Sequence, residues 1–141
     1  MLQIPPNKLK ELLVAEGLVK PEVFEEALAE AERLGQNLAD ILVGRGAIPG
    51  DFYFDLLAKF YHFEQAKLGD KPVSEEMLLL LPEEFAREKR VIAFARESDG
   101  TIDVAMEDPT DLATLQFLTS NLKTKVRTYL ASHREINRGL A

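Results

Sequence analysis

Side chains that could support catalysis are few in this chain of 141 residues. The chain has no cysteine, which excludes disulfides, thiolate metal sites and thiol nucleophiles. Its two histidines, His62 and His133, lie far apart and follow no metal-ligand spacing. The nucleotide-binding motif G-x-x-x-x-G-K-[ST] does not occur, and the carboxylates are scattered without a paired nucleophile. We therefore expect a protein without catalytic activity, a metal site or an obligatory cofactor.

Composition and charge limit the partners. Apolar residues make up 46% of the chain and charged residues 29%, which is typical of a globular protein of one domain or two small subdomains. With 17 Lys and Arg against 24 Asp and Glu, the net charge is −7, and both halves are acidic. Nucleic acids are bound by clustered basic residues, so we expect no nucleic-acid partner.

No segment has the features of a membrane anchor or an export signal. The longest apolar run, residues 77–81, is far shorter than the roughly 20 residues that span a bilayer. Residues 1–6 lack the basic and apolar regions of a secretory signal. These observations predict a cytoplasmic protein without direct membrane insertion.

The first half of the chain contains an internal repeat, because residues 9–29 align with residues 38–58. Each copy is predicted to form two helices. In the first copy we expect Asn7 to cap a helix that ends at Gly17, and Pro21 to begin the next helix. Leu18 and Val19 are expected to turn inward between them.

The second copy predicts the same pair of helices. Asn37 is expected to cap the first, Gly46 to end it and Asp51 to begin the second. Two helical hairpins in succession predict a compact bundle of four short helices.

After a predicted linker at residues 67–71, the second half of the chain changes to a mixture of helix and strand patterns. We expect helices at 74–81 and from Pro82 to Arg87, strands at 91–95, 101–106 and 125–130, a helix at 111–122, and a final helix capped by Ser132 and Glu135. Asp99-Gly100 predicts a hairpin turn, and Asp108 is expected to form a turn and the start of a helix.

Together these patterns predict an α+β protein. Residues 1–66 would form a helical subdomain built from a duplicated helical hairpin, and residues 70–141 a small α/β subdomain with a three-stranded mixed sheet.

Two sets of motifs carry a family resemblance. The second repeat begins with Arg33-Leu34-Gly35-x-x-Leu38-x-x-x-Leu42-x-x-x-Gly46-x-Ile48. The second half contains Leu80-Leu81-Pro82, Val91-Ile92 and Thr101-Ile102-Asp103-Val104-Ala105-Met106-Glu107-Asp108-Pro109-Thr110-Asp111. In these motifs the chain resembles the N-terminal domain of type II secretion and type IV pilus assembly ATPases, the MshEN-like family.

The resemblance implies a non-catalytic domain ahead of a hexameric motor ATPase. Such a domain would dock the motor to the cytoplasmic domain of an inner-membrane assembly protein, and would lie at the membrane only through that partner. The alternative that the resemblance implies is a sensor of cyclic di-GMP.

The family's ligand-binding repeat begins with Arg-Leu-Gly and carries Gln near its end, in two copies. If cyclic di-GMP binds here, the resemblance implies a site in the second copy. Its residues would be Arg33, Leu34, Gly35, Leu38, Leu42, Gly46 and Ile48. The corresponding first-copy positions hold Ile4, Pro5 and Pro6, and the terminal Gln positions hold Ala31 and Phe60. The simpler interpretation makes Arg33 a solvated helix-end residue, Leu34 a core residue and Gly35 a helix cap.

Two groups of residues are candidates for a partner surface. The acidic run that includes Glu25 and Glu26 is either a solvated helix face or a contact for a basic partner. The aromatic cluster around Phe54 and Tyr61 exceeds what a small helix pair needs, so these two residues are expected either to be exposed or to join the two halves of the chain. His62 is expected to be partly buried at the edge of the core.

Overall fold

A computed structural model describes residues 2–69 and 72–141 and divides the chain into two compact units. One unit contains residues 3–61, and the other contains residue 2 together with residues 62–141. The division falls at residues 61 and 62, whereas the sequence predicts subdomains at 1–66 and 70–141. Two residues of the predicted linker, Asp70 and Lys71, lie outside the described residues.

The first unit contains the four predicted helices. They are α1 (Pro6–Leu13), α2 (Pro21–Leu34), α3 (Leu38–Gly44) and α4 (Gly50–Tyr61). Pro21 is at the first position of α2, and the Asn37 side chain caps α3 by accepting a hydrogen bond from the Ala39 N–H at 2.8 Å. Both features confirm the sequence prediction.

The start of the first unit differs from the prediction. Asn7 lies inside α1 rather than capping it, because Pro6 occupies the first turn and its fixed φ begins the helix earlier. The helix ends at Leu13, and Gly17, at φ 75°, lies in the turn that follows. Leu18 is 53% exposed, so the expectation that it turns inward was wrong, whereas Val19 is buried.

The second unit contains seven elements. They are α5 (Glu75–Leu78), α6 (Glu83–Lys89), β1 (Val91–Arg96), β2 (Ile102–Met106), α7 (Leu112–Leu122), β3 (Val126–Leu130) and α8 (His133–Leu140). The helix predicted to run to residue 81 ends at Leu78. Leu81, the last residue of the predicted range, directly precedes Pro82 and is disfavoured in helical conformation. Pro82 precedes α6 rather than beginning it.

Three strands form a mixed sheet in the order β1-β2-β3, as predicted. β1 and β2 pair antiparallel with an irregularity between Ala93 and Ala95, and β2 and β3 pair parallel. The segment after α4 adds to the free edge of β3: the Leu130 N–H donates to the Glu64 carbonyl at 2.8 Å, and the Ala66 N–H to the Leu130 carbonyl at 2.7 Å.

Helices cover both faces of the sheet. Successive residues of a strand point to opposite faces, so Val104 and Met106 face one layer and Ala105 faces the other. The first layer includes Met77 and Leu118, from α5 and α7. The second includes further residues from β1, from α8 and from the segments that flank β3; these are Ala66, Ile92, Ala131 and Ile136.

Side chains cap three helices of this unit, and Ser74 caps the first of them, α5. Ser132 and Glu135 form the predicted capping box of α8. Asp108 does not start a helix: it accepts a hydrogen bond from the Thr110 N–H at 3.0 Å and so stabilises a turn. Asp111 caps α7 instead, accepting from the Thr114 N–H at 3.2 Å, because it is the residue directly before the helix.

An acidic pair lies on the α8 side of the sheet. Within the described residues, Asp103 Oδ1 and Glu97 Oε2 are enclosed without a hydrogen-bond donor, although Arg127 Nε lies 3.4 Å from Glu97 Oε2. Burial, and secondly the adjacent Glu97 carboxyl, raise the pKa of Asp103 to about 6. The unfolded chain would titrate near the ordinary value of 3.8. Folding therefore favours the protonated form of Asp103.

Replacing Asp103 should stabilise the protein at neutral pH. The stability associated with its protonated form is present below about pH 4 and is lost as the pH rises through about 6. We expect Asp103→Asn to raise the free energy of unfolding at pH 7 by roughly 1 kcal/mol, allowing for solvent screening, and to flatten its pH dependence between pH 4 and 7. Urea unfolding at several pH values measures both quantities.

Asp99 on the same hairpin provides a control of opposite sign. Its carboxylate accepts a hydrogen bond from the Thr101 N–H at 2.9 Å, which lowers its pKa. Asp99→Asn should therefore not stabilise the protein at pH 7. A gain in stability for both variants would show that general charge reduction, and not the acidic pair, is responsible.

Candidate functional site

The Arg-Leu-Gly motif forms the turn between α2 and α3, here called the α2–α3 turn (residues 33–37). Arg33 and Leu34 are the last two residues of α2. Gly35 follows at φ 66°, and its N–H bonds to the carbonyl of Ala31. Gly35 is therefore the helix cap that the sequence predicts, in a conformation that suits glycine.

The first three residues of the turn are exposed to solvent. The Arg33 guanidinium has no ion-pair or hydrogen-bond partner among residues 2–69 and 72–141. Leu34 is 46% exposed, so its expected place in the core was wrong. The reason is that Leu34 continues the spacing of the buried stripe Phe24, Ala27 and Ala31 but is the final residue of α2, beyond the last buried residue of the helix. The turn thus presents a free cation beside an exposed apolar side chain.

The other residues of the candidate ligand site have a different role. Leu38, Leu42 and Ile48 are buried in the helical unit, with Leu42 fully enclosed. Gly46 is exposed, at φ 76°, in the turn after α3. The motif therefore brings together only Arg33, Leu34 and Gly35 as an accessible group. Its buried leucines and isoleucine position that group by packing.

The acidic candidates Glu25 and Glu26 lie exposed along α2 and take part in ion pairs. Lys10 Nζ lies 2.8 Å from Glu25, and Arg45 Nη1 lies 3.5 Å from Glu26. Arg45 also donates to Glu30 through Nε at 3.0 Å, and this hydrogen bond raises the pKa of Arg45. Arg45 thus fixes the acidic side of α2 to the end of α3.

The sequence prediction missed Arg45, although the repeat contains a signal for it. The corresponding position of the first copy is Glu16, so the charge is reversed between the two copies. Because the acidic run of α2 follows Glu16 in the chain, a basic residue at the second position could have been paired with that run. Only the structure identifies Glu26 and Glu30 as its partners.

The aromatic candidates belong to α4. Phe54 and Tyr61 are both half-buried rather than freely exposed. The Tyr61 hydroxyl donates to the Gln3 carbonyl, and the ring lies edge-on to Phe60 with centroids 5.0 Å apart. His62, expected at the edge of the core, is exposed, because it follows α4 in a left-handed conformation at φ 60°.

A polar network in the second unit also escaped prediction, because its members are distant in sequence. Arg90 contacts the side chains of Glu107 and Asn137, and His133 Nδ1 lies 3.1 Å from Glu107 Oε1. The network connects the end of α6, the end of β2 and α8. It contains one histidine and one carboxylate, which is too few ligands for a metal site.

Wider groups of ligating side chains are also absent from the described residues. Across residues 2–69 and 72–141, no three His, Asp or Glu side chains are arranged to hold a metal ion. Within those residues no helix has the length and apolar character needed to cross a bilayer.

Comparison with known proteins gives a family match over more than half of the chain. The model of the MshEN domain family matches residues 61–141. The type IV pilus assembly ATPase PilB of Myxococcus xanthus is 31% identical over 136 residues, which is 94% of this chain and 24% of PilB. PilB of Thermus thermophilus is 36% identical over 105 residues, 72% of this chain and 11% of that protein. The chain therefore spans a quarter or less of these relatives.

Solved structures show a likeness over nearly the whole chain. MshE, solved with cyclic di-GMP, superposes with a TM-score of 0.73 at 29% identity and covers 94% of this chain and 95% of that one. The N-terminal domain of XpsE gives a TM-score of 0.58 at 19% identity, covering 99% and 96%. At that identity, the XpsE match supports the fold alone.

Because some residues of the motif are exposed and others are buried, we expect alanine substitutions at the two kinds of position to change the free energy of unfolding by different amounts. Leu42→Ala should lower the free energy of unfolding by roughly 2 to 5 kcal/mol, because it opens a cavity in the helical unit. Arg33→Ala should change it by less than about 0.5 kcal/mol, because the side chain is exposed and unpaired. Urea unfolding measures both. A large destabilisation by Arg33→Ala would contradict this assignment.

Proposed function

Because the chain belongs to the MshEN domain family, a non-catalytic N-terminal domain of type IV pilus and type II secretion ATPases, we propose that it is a docking and regulatory domain. In this proposal it connects a motor ATPase domain to the cytoplasmic domain of an inner-membrane assembly protein. The chain itself hydrolyses no nucleotide. It acts in the cytoplasm and is held near the membrane only through its partner.

The observation that carries the docking proposal is the acidic side of α2. Glu25 and Glu26 are exposed in a chain of net charge −7, so a basic partner surface would be attracted to them. The ion pairs with Lys10 and Arg45 limit the conformations of these carboxylates before binding. A contact that is ordered in advance loses less conformational entropy when the partner arrives.

Phe54 and Tyr61 complete the proposed contact. They are half-buried in α4, so each presents part of an aromatic ring while the rest is fixed by the helical unit. Aromatic residues are enriched at protein interfaces because they combine a large contact area with few rotatable bonds. The acidic residues would then direct the approach of the partner, and the aromatic residues would stabilise the complex.

Reversing the acidic charges should weaken docking. We expect Glu25→Lys/Glu26→Lys to reduce affinity for the purified cytoplasmic domain of the assembly protein by at least tenfold, and the wild-type affinity to fall as salt is raised. Isothermal titration calorimetry measures both effects. Thermal unfolding of the variant checks that the fold survives, since exposed ion pairs contribute at most about 1 kcal/mol each.

Glu16→Lys/Glu84→Lys provides the matched control, because it makes the same change in net charge at exposed positions outside α2. The control should bind as the wild type does. Equal weakening by both variants would leave only a general charge effect, and the absence of wild-type binding would refute the docking proposal.

Cyclic di-GMP binding is the second candidate function. The observation in its favour is the free Arg33 guanidinium beside Gly35, since guanidinium groups bond phosphate and guanine edges in bidentate geometry. MshE, which is similar to this chain along nearly its full length, has been solved with cyclic di-GMP. The first copy offers no equivalent cation, because the buried Ile4 stands at the position of Arg33. Pro5 and Pro6 also remove two backbone N–H donors there. We therefore propose a site with one arginine and modest affinity.

The ligand proposal predicts saturable binding that depends on Arg33. Calorimetry with cyclic di-GMP should give a dissociation constant in the micromolar range or weaker, and Arg33→Ala should raise it by roughly tenfold to a hundredfold, as loss of one charged hydrogen bond does. Lys59→Ala removes an exposed cation of the same unit and should have no comparable effect. No heat of binding at high-micromolar ligand would rule out this second function.

A further inference from the structure

The outward side of α7, here called the α7 outer face, differs from the other exposed helix surfaces. The inward side packs on the sheet through Leu118, which is fully buried, and Thr114. On the outward side, Leu112 is 72% exposed. Phe117 lies at the flank of this side, where its ring packs on Phe85 of α6 with centroids 4.1 Å apart and stays 40% exposed. A shallow groove with apolar and uncharged polar walls runs along this side; its lining residues are Leu112, Leu115, Gln116, Thr119 and Ser120.

The helix is also uncharged from end to end. None of the residues in Leu112–Leu122 is acidic or basic, although 29% of the whole chain is charged. The contrast is α2, whose outward side carries most of the glutamates of the helical unit. Depletion of charge is the compositional signature of the centre of a protein interface. Besides Leu112, the exposed outward residues Ala113, Thr119 and Ser120 are small, which permits close approach of another helix.

Charges of opposite sign lie just beyond the two ends of the helix. Asp108 and Asp111 precede α7, and Lys123 and Lys125 follow it. The hydrogen bond from Thr114 lowers the pKa of Asp111, so this carboxylate is ionised at neutral pH. These charges complement the helix dipole. If α7 of a second copy packs antiparallel to this helix, the acidic end of each helix faces the basic end of the other.

We propose that the α7 outer face is a self-docking surface, on which α7 of a second copy packs antiparallel about a two-fold axis. The two acidic ends then lie opposite the two basic ends, and the axis passes near Gln116. A two-fold contact of this kind uses the same patch on both copies, which is the usual form of a homodimer interface.

The size of the surface limits the strength of this association. Eleven residues of helix extend about 16 Å, so the contact is smaller than the roughly 1,600 Å² of a standard interface. We therefore expect a dissociation constant in the high-micromolar range for the isolated chain. Association would strengthen wherever several copies are held together, because the effective concentration then exceeds the free one.

Sedimentation equilibrium between 10 µM and 1 mM tests self-association directly. The wild-type chain should shift from monomer to dimer across this range, and Leu112→Lys should weaken association at least tenfold. The matched control is Leu79→Lys, because Leu79 is 74% exposed in the same unit but lies outside α7. A wild-type chain that stays monomeric overturns the proposal and leaves the surface to a different partner. Equal weakening by the control also overturns it.

Charge reversal at one end tests the complementary ends. Lys123→Glu/Lys125→Glu leaves the α7 outer face intact but makes both ends acidic, so the copies should repel and association should fall at least tenfold. Lys20→Glu/Lys59→Glu changes the net charge equally at exposed positions of the other unit and should have little effect. Association that is unchanged by the first pair would overturn the antiparallel arrangement.

Single introduced cysteines test the position of the axis, because the natural chain has none to compete with them. Gln116→Cys lies near the axis and should form a disulfide-linked dimer with itself under mild oxidation, since Cβ atoms must approach within about 4.5 Å. Ala113→Cys should cross-link poorly with itself but efficiently with Ser120→Cys in a mixture. The variant Ala29→Cys, at an exposed position of α2, gives the reference rate of cross-linking by random collision. Cross-linking of Gln116→Cys no faster than that rate would overturn the proposal.

Discussion

The burial of β2 on both faces is the constraint on which the second unit depends. As the central strand of a three-stranded sheet, β2 has no edge open to solvent, and its Val104 and Ala105 side chains are completely enclosed on opposite faces. Helices must therefore cover both sides, and the chain supplies α5, α6 and α7 for one and α8 for the other. The acidic pair at Asp103 follows from the same constraint, because a carboxylate on a central strand is drawn partly out of water.

In the helical unit, some residues of the motif that begins with Arg-Leu-Gly form part of the core and others are exposed to solvent. Leu38, Leu42 and Ile48 are buried, so their chemistry is that of a core and not of a ligand site. Arg33 and Gly35 are the part that a second molecule can reach. The motif therefore specifies mostly the orientation of a turn and leaves one or two of its positions accessible.

Local signals predicted most of the elements. The repeat gave four helices, Asp99-Gly100 gave the hairpin, and Ser132 with Glu135 gave the cap of α8, because each signal acts within a few residues. Competition between neighbouring signals caused the errors at Asn7 and Asp108, where a nearby proline and a nearby aspartate began the helix instead.

The exposure of Leu18 and Leu34 could not be predicted from hydrophobicity. It depends on which residues the packed helices enclose. The ion pairs of Arg45 and the network around Arg90 join residues distant in sequence, and no local pattern contains them.

The short backbone pairing between Glu64, Ala66 and Leu130 has a consequence for solubility. An exposed strand edge is a template on which other chains can add strands and aggregate. Two hydrogen bonds from this segment occupy the edge of β3 at its apolar end, where Leu130 is fully buried. The opposite end carries Arg127, whose charge discourages the approach of a foreign strand. The free edge of β3 is thus protected at one end by the chain's own pairing and at the other by a charge, which discourages strand addition there without a fourth strand.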